Sequence, residues 1–390
     1  MRKKRNNVIA LGWVSFLTDI SSEMILPILP LFLANVLGTS KAFIGLIEGV
    51  AESSSSLLKI GSGWYSDRVR RRKSFALIGY CVSNMVKPLL ALANTAGHVL
   101  IIRFVDRMGK GLRTAPRDAL IAESSEQNSR GKAFGIHRMM DTVGAVVGAS
   151  IAFLFLSIAS DSYRTIFLLS GIPGSIAVLV LSLCVREKRK KEHDEGLHGS
   201  VHVQPHGAAT QQFKLFLVCI SIFTFSSVSY AFFILRANEL GLAEKFIPLV
   251  YLLYTIMYAL FAVPVGSLSD KMGRTAVLGT GMFLHGLFLL GFSLADHALH
   301  ALILFAVYGI VVAITETIPR ALVSDLVVAD RRGTALGMYH TAVGIAPLPA
   351  NLLFGFAWSR VGSQIAFSLW GVLSLTASFF FVINRRKFQE

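Results

Sequence analysis

The chain has 390 residues, of which 53% are hydrophobic and 16% are charged, and its formal net charge is +15. Soluble domains are typically about 45–50% apolar and about 25% charged, so this composition excludes an ordinary soluble protein of two or three domains. A segment that crosses a bilayer needs roughly 20 mostly apolar residues. Twelve such spans are predicted, at residues 8–36, 43–62, 74–94, 98–120, 132–156, 164–185, 213–236, 246–267, 275–295, 299–324, 332–357 and 364–384. They indicate an all-α polytopic membrane protein.

Lys and Arg residues concentrate where spans would end on one side of the membrane. The four clusters are residues 2–5, 68–73, 186–191 and 385–387. Loops on the other side, such as 94–97 and 296–300, contain no Lys or Arg. The positive-inside rule places the basic side and both termini in the cytoplasm. We therefore predict a multi-pass protein of the inner (cytoplasmic) membrane, surrounded by the lipid bilayer, and we do not expect the basic clusters to bind nucleic acid.

The first span, basic and then apolar, has the general form of a signal peptide. Its apolar part is too long for one, contains Asp19 and Glu23, and lacks a cleavage site between small residues, so we interpret it as a retained helix. The three cysteines are Cys81, Cys184 and Cys219. Their spacing is not typical of a metal site or a disulfide, and we expect small buried hydrophobic side chains.

The longest polar interruption, residues 186–212, divides the spans six and six. Its Gly, His, Gln and charged residues predict a flexible cytoplasmic linker. His198, His202 and His206 recur every four residues and could chelate a metal on a helix. Neighbouring glycines and a proline disfavour that helix, so a solvated loop is the favoured interpretation.

The two parts flanking this linker, residues 1–185 and 213–390, are predicted to be homologous halves. Three segments of the first half recur in the same order in the second, at a nearly constant offset. The pairs are 61–72 with 266–274, 115–121 with 318–324, and 130–135 with 332–337. Repeats of this kind allow many secondary transporters to build a site at the interface between their halves.

These repeated loops resemble a motif of the major facilitator superfamily, and the resemblance covers essentially the full chain. The residues that carry it are Gly63, Asp67, Arg68, Arg71 and Arg72 in the first half, and Gly266, Asp270 and Arg274 in the second. Two helix motifs agree, because Arg107-x-x-x-Gly111 is similar to the family's span-4 arginine motif and Gly144-x-x-x-Gly148 to its antiporter motif. The resemblance implies twelve transmembrane helices in two pseudo-symmetric six-helix halves, transport by alternating access, and a monomer.

The repeated loop motif is predicted to form a gate on the cytoplasmic side. Gly63 would let spans 2 and 3 turn tightly, and Asp67 would accept hydrogen bonds at a helix N-terminus. The arginines would pair with acids or lipid phosphates and hold the halves together in one state only. Arg113 and Arg117, at the end of span 4, are assigned to the same network. The alternative is a basic loop that only sets the topology.

Several ionisable residues are predicted to lie at membrane depth, where a charge costs about 2.5 kcal/mol or more and normally faces a cavity or a partner. Asp19 and Glu23 are four residues apart and share one face of span 1. His137 and Asp141 are related in the same way in span 5, and span 4 has one ionic face. The predicted substrate and proton-coupling residues are Asp19, Glu23, Arg103, Asp106, Arg107, His137, Asp141 and Glu316.

A carboxyl group in the membrane interior can carry protons, because burial disfavours its charged form unless a cation lies nearby. Asp19, Glu23 or Asp141 could take up a proton when a neighbouring arginine moves away. Gly109-Lys110-Gly111 lacks the upstream glycine spacing of a P-loop, and no pattern indicates a nucleophile or a catalytic metal. We therefore predict a proton-driven transporter rather than an enzyme, with no cofactor.

The charges assigned to the cavity are slightly positive in sum, which mildly favours a small anionic or zwitterionic solute, such as a metabolite or a siderophore-like chelate. Paired arginines would bind its carboxylates bidentately. The alternative within the same family is an exporter of drugs or amphipathic cations, which the acidic residues of span 1 and the 28 Phe residues would suit. A receptor or lipid-handling protein without solute flux is a third possibility, with no evident need for the duplicated loop.

Overall fold

The computed structural model describes residues 2–69, 71–124, 130–159, 162–187, 211–327 and 332–388. Among these residues, nine helical segments are long and apolar enough to cross a membrane. Three more long helices, Arg2–Glu23, Lys41–Val69 and Ala96–Glu123, pack among the nine. They are the charged spans 1, 2 and 4 of the sequence. The order of the predicted spans agrees with these helices, a count of twelve is consistent with them, and the described part of the fold is all-α.

We number the twelve membrane segments α1 to α12 in chain order. The first six are α1 (Arg2–Glu23, then Leu29–Leu31 and Phe32–Val36), α2 (Lys41–Val69), α3 (Arg72–Val86, then Lys87–Leu92), α4 (Ala96–Glu123), α5 (Arg130–Ile158) and α6 (Tyr163–Leu169 and Gly171–Cys184). The last six are α7 (Gln211–Ser226 and Tyr230–Glu239), α8 (Ile247–Met272), α9 (Arg274–Leu294), α10 (Ala298–Asp325), α11 (Arg332–Ile345 and Pro347–Val361) and α12 (Ser363–Asn384). The predicted linker, residues 186–212, lies for the most part outside the described residues.

Two segments are broken near the middle, for different reasons. The long helix of α1 ends at Glu23, and Pro27 and Pro30 follow, as expected because proline cannot donate a backbone hydrogen bond. The break in α7 contains no proline. There Ser229 begins a new helix by accepting a hydrogen bond from the Ala231 amide at 3.3 Å, as serine commonly does at an N-cap.

The two halves meet through equivalent helix pairs, because α2 packs against α11 and α5 packs against α8. Glycines allow the α2–α11 backbones to approach closely. A Cβ atom at Gly45 would collide with the carbonyl oxygen of Asn351, and one at Gly49 would lie 2.8 Å from the Leu348 Cα. Small residues at such contacts are typical of helices that associate within membranes.

Among the described residues, the hydrophobic core that joins the halves lies at one end of the molecule. We call the end with both chain termini the basic end and the other the opposite end. One hydrophobic cluster contains residues of both halves, among them Phe32, Phe232 and Trp358, and lies at the opposite end. The two other clusters each belong to a single half, and both lie toward the basic end. The described parts of the halves therefore pack tightly at the opposite end and separate toward the basic end.

Polar contacts reinforce the closure of the opposite end. Glu244 accepts a hydrogen bond from the Asn35 side-chain amide at 2.5 Å and another from the Tyr163 hydroxyl. The Lys41 ammonium lies 5.4 Å from the centre of the Trp358 ring. Asn35, Lys41 and Tyr163 belong to the first half, and the other two residues belong to the second. Opening of this end requires these contacts to separate.

Gly45→Ala is expected to loosen the closed opposite end, because its methyl group has no room beside Asn351. Gly61→Ala in the same helix is the matched control, since a Cβ atom there meets nothing within 4 Å. Alanine favours helix at both positions, so the difference between them reports the inter-half contact. The rate at which a membrane-impermeant thiol reagent modifies Asn35→Cys should rise with Gly45→Ala only. Equal rates in the two variants would contradict this reading of the interface.

The structure corrects one detail of the loop motif. The prediction that Gly63 forms the turn between spans 2 and 3 is wrong, because α2 stays helical to Val69 and Gly63 lies inside it. Gly266 likewise lies within α8. The turn in the second copy is made by Gly273, whose φ of +90° falls in a region that favours glycine.

Candidate functional site

The acidic pair of α1 faces the space between the halves. Asp19 and Glu23 are both partly exposed although they lie in the middle of the membrane segment. Glu23 interacts with the Tyr251 hydroxyl of α8, in the other half, and with the charges of Lys110 and Arg107 on α4. The sequence-based placement of these two carboxyl groups on one face of α1 is therefore confirmed, and their surroundings combine cations from one half with a phenol from the other.

Asp19 also contacts Asp141 of α5, and the two carboxyl groups are hydrogen-bonded to each other. Two carboxyl groups can share such a bond only if one of them holds a proton. The Ser15 hydroxyl donates to Asp141 Oδ1 at 2.6 Å, and the Arg138 guanidinium donates to Asp141 Oδ2 at 3.0 Å. These two donors stabilise the anionic form of Asp141, so Asp19 is the candidate for the protonated member of the pair.

A second ionic cluster is buried within the first half. Arg103 of α4 pairs with Glu48 of α2 at 3.0 Å, and Asp106 lies 3.4 Å from the Arg107 Nε. Asp106 also accepts a hydrogen bond from the Ser83 hydroxyl at 2.6 Å. These three α4 residues were predicted to line the transport cavity. The structure places them among α1, α2, α3 and α4, each less than 9% exposed, and their role in transport stays a prediction.

This buried cluster borders a small cavity between α1, α3 and α4. Ser22 and Lys87 line it together with Arg103, Asp106 and Arg107. The Lys87 ammonium donates to the hydroxyl groups of Ser21 and Ser22 at 3.2 and 2.9 Å, and to Asn84 Oδ1 at 2.9 Å. A hydrogen-bonded cation here compensates the buried acids, as charges in a low-dielectric interior require.

Glu48 connects this cluster to the second half. Its Oε1 atom binds Arg103, while its Oε2 atom accepts a hydrogen bond from the Ser229 hydroxyl at 3.0 Å. Ser229 lies at the break in α7, and its backbone amide donates to Asn351 Oδ1 of α11 at 2.7 Å. A movement of the halves at the opposite end therefore reaches the buried charges through one carboxylate.

Aromatic residues of the second half form the facing wall. Neighbouring tyrosine rings lie 5.1–5.5 Å apart in the series Tyr230, Tyr251, Tyr254 and Tyr308. Tyr308 stacks on Phe288 at 4.9 Å. The sequence-based prediction missed this wall, although the spacing of residues 251, 254 and 258 already places three tyrosines on one face of α8.

Toward the basic end, both walls carry charges. Glu316 of α10 is exposed and interacts electrostatically with Arg138 of α5 and Glu52 of α2. Lys59 of α2 lies within electrostatic range of Arg320 of α10, which carries the same charge. Glu316 is thus brought to the same space as Asp19 and Glu23, as predicted. Glu52 and Lys59 also face it, although they were not among the predicted site residues.

Three further predicted residues, His137, Arg113 and Arg117, lie deeper in the first half. His137 is buried and interacts with the charges of Arg117 and Asp141. Arg113 is also buried, with its guanidinium 4.2 Å from the centre of the Tyr80 ring. Arg117 pairs with Asp118 at 2.9 Å. Arg113 and Arg117 thus contact partners in α3 and α4, and their role in a gate stays a prediction.

The described gate residues make ion pairs within their own halves. Arg72 pairs with Glu123 in the first half. Arg274 pairs with Asp270 at 3.5 Å and with Asp325 at 3.0 Å in the second. The side chains of Asp67 and Arg68 lie outside the described residues, and Arg71 is exposed. These intra-half pairs agree with a basic end at which the halves are apart.

Chemically, the space between the halves offers proton-binding carboxyl groups, exposed cations and an aromatic surface. Within the described ranges, no three His, Cys, Asp or Glu side chains are grouped so that they could hold a metal ion. The same space borders both halves, so a molecule bound there would contact each of them. This is the position at which two-fold repeats build transport sites.

A family model and one relative match the chain over most of its length, and a second relative matches less than half of it. The sequence model of the Major Facilitator Superfamily matches residues 11–217 and 214–390. An uncharacterised MFS-type transporter of Methanocaldococcus jannaschii is 40% identical over 380 residues, which cover 96% of this chain and 94% of that protein. The quinolone resistance protein NorA of Staphylococcus aureus is 22% identical over 175 residues, or 45% of this chain and 44% of NorA.

The fold is similar to that of solved transporters. A crystal structure of the nucleoside transporter NupG superimposes with a TM-score of 0.82 at 13% identity, covering 96% of this chain and 99% of that one. At this identity the likeness concerns the fold alone. The family match and the 40% identical relative cover both halves. The chain is therefore a multi-pass membrane transporter that belongs to the Major Facilitator Superfamily.

Proposed function

We propose that the protein is a proton-coupled secondary transporter that moves a small organic solute across the cytoplasmic membrane by alternating access. The observation that carries the proposal is the contact between the carboxyl groups of Asp19 and Asp141, which border the space between two halves that share a hydrophobic core at the opposite end. A proton held there can leave when solute binding or rocking of the halves changes its surroundings. Proton and solute movement would thus be coupled in one space.

The orientation follows from the basic residues. We propose that the basic end faces the cytoplasm, because Arg71, Arg72 and Lys73 and the run Arg385 to Lys387 lie there and positive residues are retained on that side. Both termini are then cytoplasmic, and the described conformation opens inward. Transport within one chain needs no second copy, which supports a monomer in the bilayer.

A zwitterionic solute suits the mixed charges of the site best. Arg103 and Arg107, which were expected to bind a carboxylate, already have the partners Glu48 and Asp106. The cations that border the space are Lys59, Lys110, Arg138 and Arg320, and the acids that border it are Asp19, Glu23, Glu52, Asp141 and Glu316. Acids and cations of similar number favour a solute with both charges, and the tyrosines would contact its apolar part.

The test is an uptake screen with purified protein in liposomes. Under an imposed proton gradient, amino-acid-like zwitterions and small carboxylates should accumulate above the level in liposomes without protein. A matched set of liposomes with the gradient collapsed by a protonophore separates coupled from passive entry. Failure of every organic anion and zwitterion to move would contradict this solute class.

Export of amphipathic cations is the second candidate, and the tyrosine wall favours it. Aromatic faces attract cations, and here they lie opposite Asp19 and Glu23 of α1. NorA, by its name a quinolone resistance protein, matches 45% of this chain. Deletion of the gene should then raise sensitivity to toxic organic cations in a growth panel. Unchanged sensitivity to every cation tested would count against export.

A further inference from the structure

A cleft on the membrane-facing surface is not part of the space between the halves. It lies between α9 and α12 near the basic end and has a volume of about 560 Å³. Phe283 and Phe379 form its sides, and they are 49% and 67% exposed. Gly279, which has no side chain, belongs to its floor, and Arg385 borders it at the end of α12. Exposed phenylalanines in a membrane segment indicate contact with lipid chains.

The cationic border of the cleft has no acidic partner among the described residues. Arg385 is exposed, and the two residues that follow, Arg386 and Lys387, are basic and exposed as well. The Lys387 ammonium donates to Asn384 Oδ1 at 3.1 Å, whereas no described carboxylate pairs with Arg385. Positive charge therefore remains available at the level of the lipid headgroups.

The equivalent surface of the first half, between α3 and α6, has different contacts. There the Lys73 ammonium donates to the Ser182 carbonyl at 2.8 Å, which ties α3 to α6. The Glu187 carboxylate accepts hydrogen bonds from the backbone amides of Arg72 and Lys73 at 2.7 and 3.2 Å. These contacts between α3 and the end of α6 occupy the place that corresponds to the α9–α12 cleft.

We propose that this cleft binds one anionic glycerophospholipid. An acyl chain would lie between Phe283 and Phe379, and the phosphate would lie at Arg385. Basic pockets between transmembrane helices on the cytoplasmic side bind acidic headgroups, and the proposed orientation puts the cleft in that leaflet. A zwitterionic headgroup carries its own cation and gains less from Arg385. Charge complementarity therefore selects phosphatidylglycerol over phosphatidylcholine with the same acyl chains.

The experiment measures lipid binding to the purified full chain by mass spectrometry under non-denaturing conditions. The probes are phosphatidylglycerol and phosphatidylcholine with identical acyl chains. Arg385→Gln removes the bordering charge, and Arg386→Gln removes the adjacent charge, which does not border the cleft. Thr280→Trp fills the cleft. Thr376→Trp is its control, because both threonines are exposed and return their hydroxyl to the carbonyl four residues earlier.

The wild-type protein, Arg386→Gln and Thr376→Trp should bind phosphatidylglycerol in preference to phosphatidylcholine. Arg385→Gln should weaken that binding about five-fold, the effect expected of one basic residue at an anionic surface, and Thr280→Trp should remove the tightest bound lipid. Unchanged thermal unfolding in detergent would show that both variants are folded. Equal binding of the two lipids, or equal effects of Arg385→Gln and Arg386→Gln, would overturn the proposal. The readout is independent of solute transport.

Discussion

Asp19→Asn is expected to abolish proton-driven accumulation of solute while the protein remains folded in the membrane. Asparagine keeps the size and the hydrogen-bonding capacity of the carboxylic acid but cannot exchange a proton. Its amide would donate permanently to Asp141, the carboxyl group that contacts Asp19. Because the variant imitates the protonated state, exchange of labelled for unlabelled solute should persist when no net proton movement is needed.

The measurement is accumulation in proteoliposomes under an imposed proton gradient, compared with exchange at equilibrium. Asp296→Asn is the matched control, because it makes the same chemical change at an exposed carboxylate outside the membrane segments. Loss of accumulation with retained exchange in the Asp19 variant alone is the predicted pattern. Accumulation at the wild-type level would remove Asp19 from the coupling reaction.

Arg103→Met is expected to destabilise the protein by about 3–5 kcal/mol, the typical cost of leaving one partner of a buried ion pair uncompensated. Arg103 and Glu48 have only 5% and 8% of their side chains exposed. Once the guanidinium is lost, Glu48 keeps only its hydrogen bond with Ser229 at 3.0 Å. Water cannot easily replace the missing partner within α2, α3 and α4.

The double variant Arg103→Met/Glu48→Met should recover much of this stability, because buried ion pairs are often replaced by apolar residues at little cost. Arg138→Met is the control for loss of an arginine. Its side chain is 63% exposed in the pair with Asp141, and exposed pairs contribute about 0–1 kcal/mol. Thermal unfolding in detergent, followed by tryptophan fluorescence, measures all three. A double variant no more stable than the Arg103 single variant would contradict the buried pair.

The architecture could be predicted from the sequence because it depends on local patterns. Apolar runs of sufficient length, the asymmetry of Lys and Arg, and three repeated segments all report on the twelve helices and two halves. Pro27 and Pro30 in α1 similarly indicate a break in the helix, because proline removes a backbone hydrogen-bond donor. The break of α7 at Ser229 has no such local cause, since it depends on contacts with Glu48 and Asn351.

The candidate site was predicted only in part, because the sequence does not show which distant residues pair with each other. Asp19, Glu23, Asp141 and Glu316, which border the space between the halves, were proposed from sequence because charges in a membrane segment are rare and costly. The partner of Arg103 could not be inferred, because Glu48 is 55 positions away and the spacing of charges within span 4 does not show which helix packs against them. Helical spacing shows which face is charged, but only packing decides whether that face lines a cavity.

The glycines show the same distinction. Gly63 and Gly266 mark the repeated motif, yet both lie within helices, and Gly273 makes the turn. A glycine is favoured where φ is positive or where another backbone segment leaves no room for a Cβ atom. At Gly45 the second reason applies, since the Asn351 carbonyl occupies the place of a Cβ atom. Only the structure tells these reasons apart.

The most direct test of coupled transport is proton movement driven by solute alone. Purified protein is placed in liposomes that contain a pH-sensitive dye, with no gradient imposed, and candidate solutes are added outside. The proposed mechanism predicts that a transported solute changes the internal pH in the wild-type protein and leaves it unchanged in Asp19→Asn. Solute entry without any pH change in the wild-type protein, or the same pH change in the variant, would contradict coupling through Asp19.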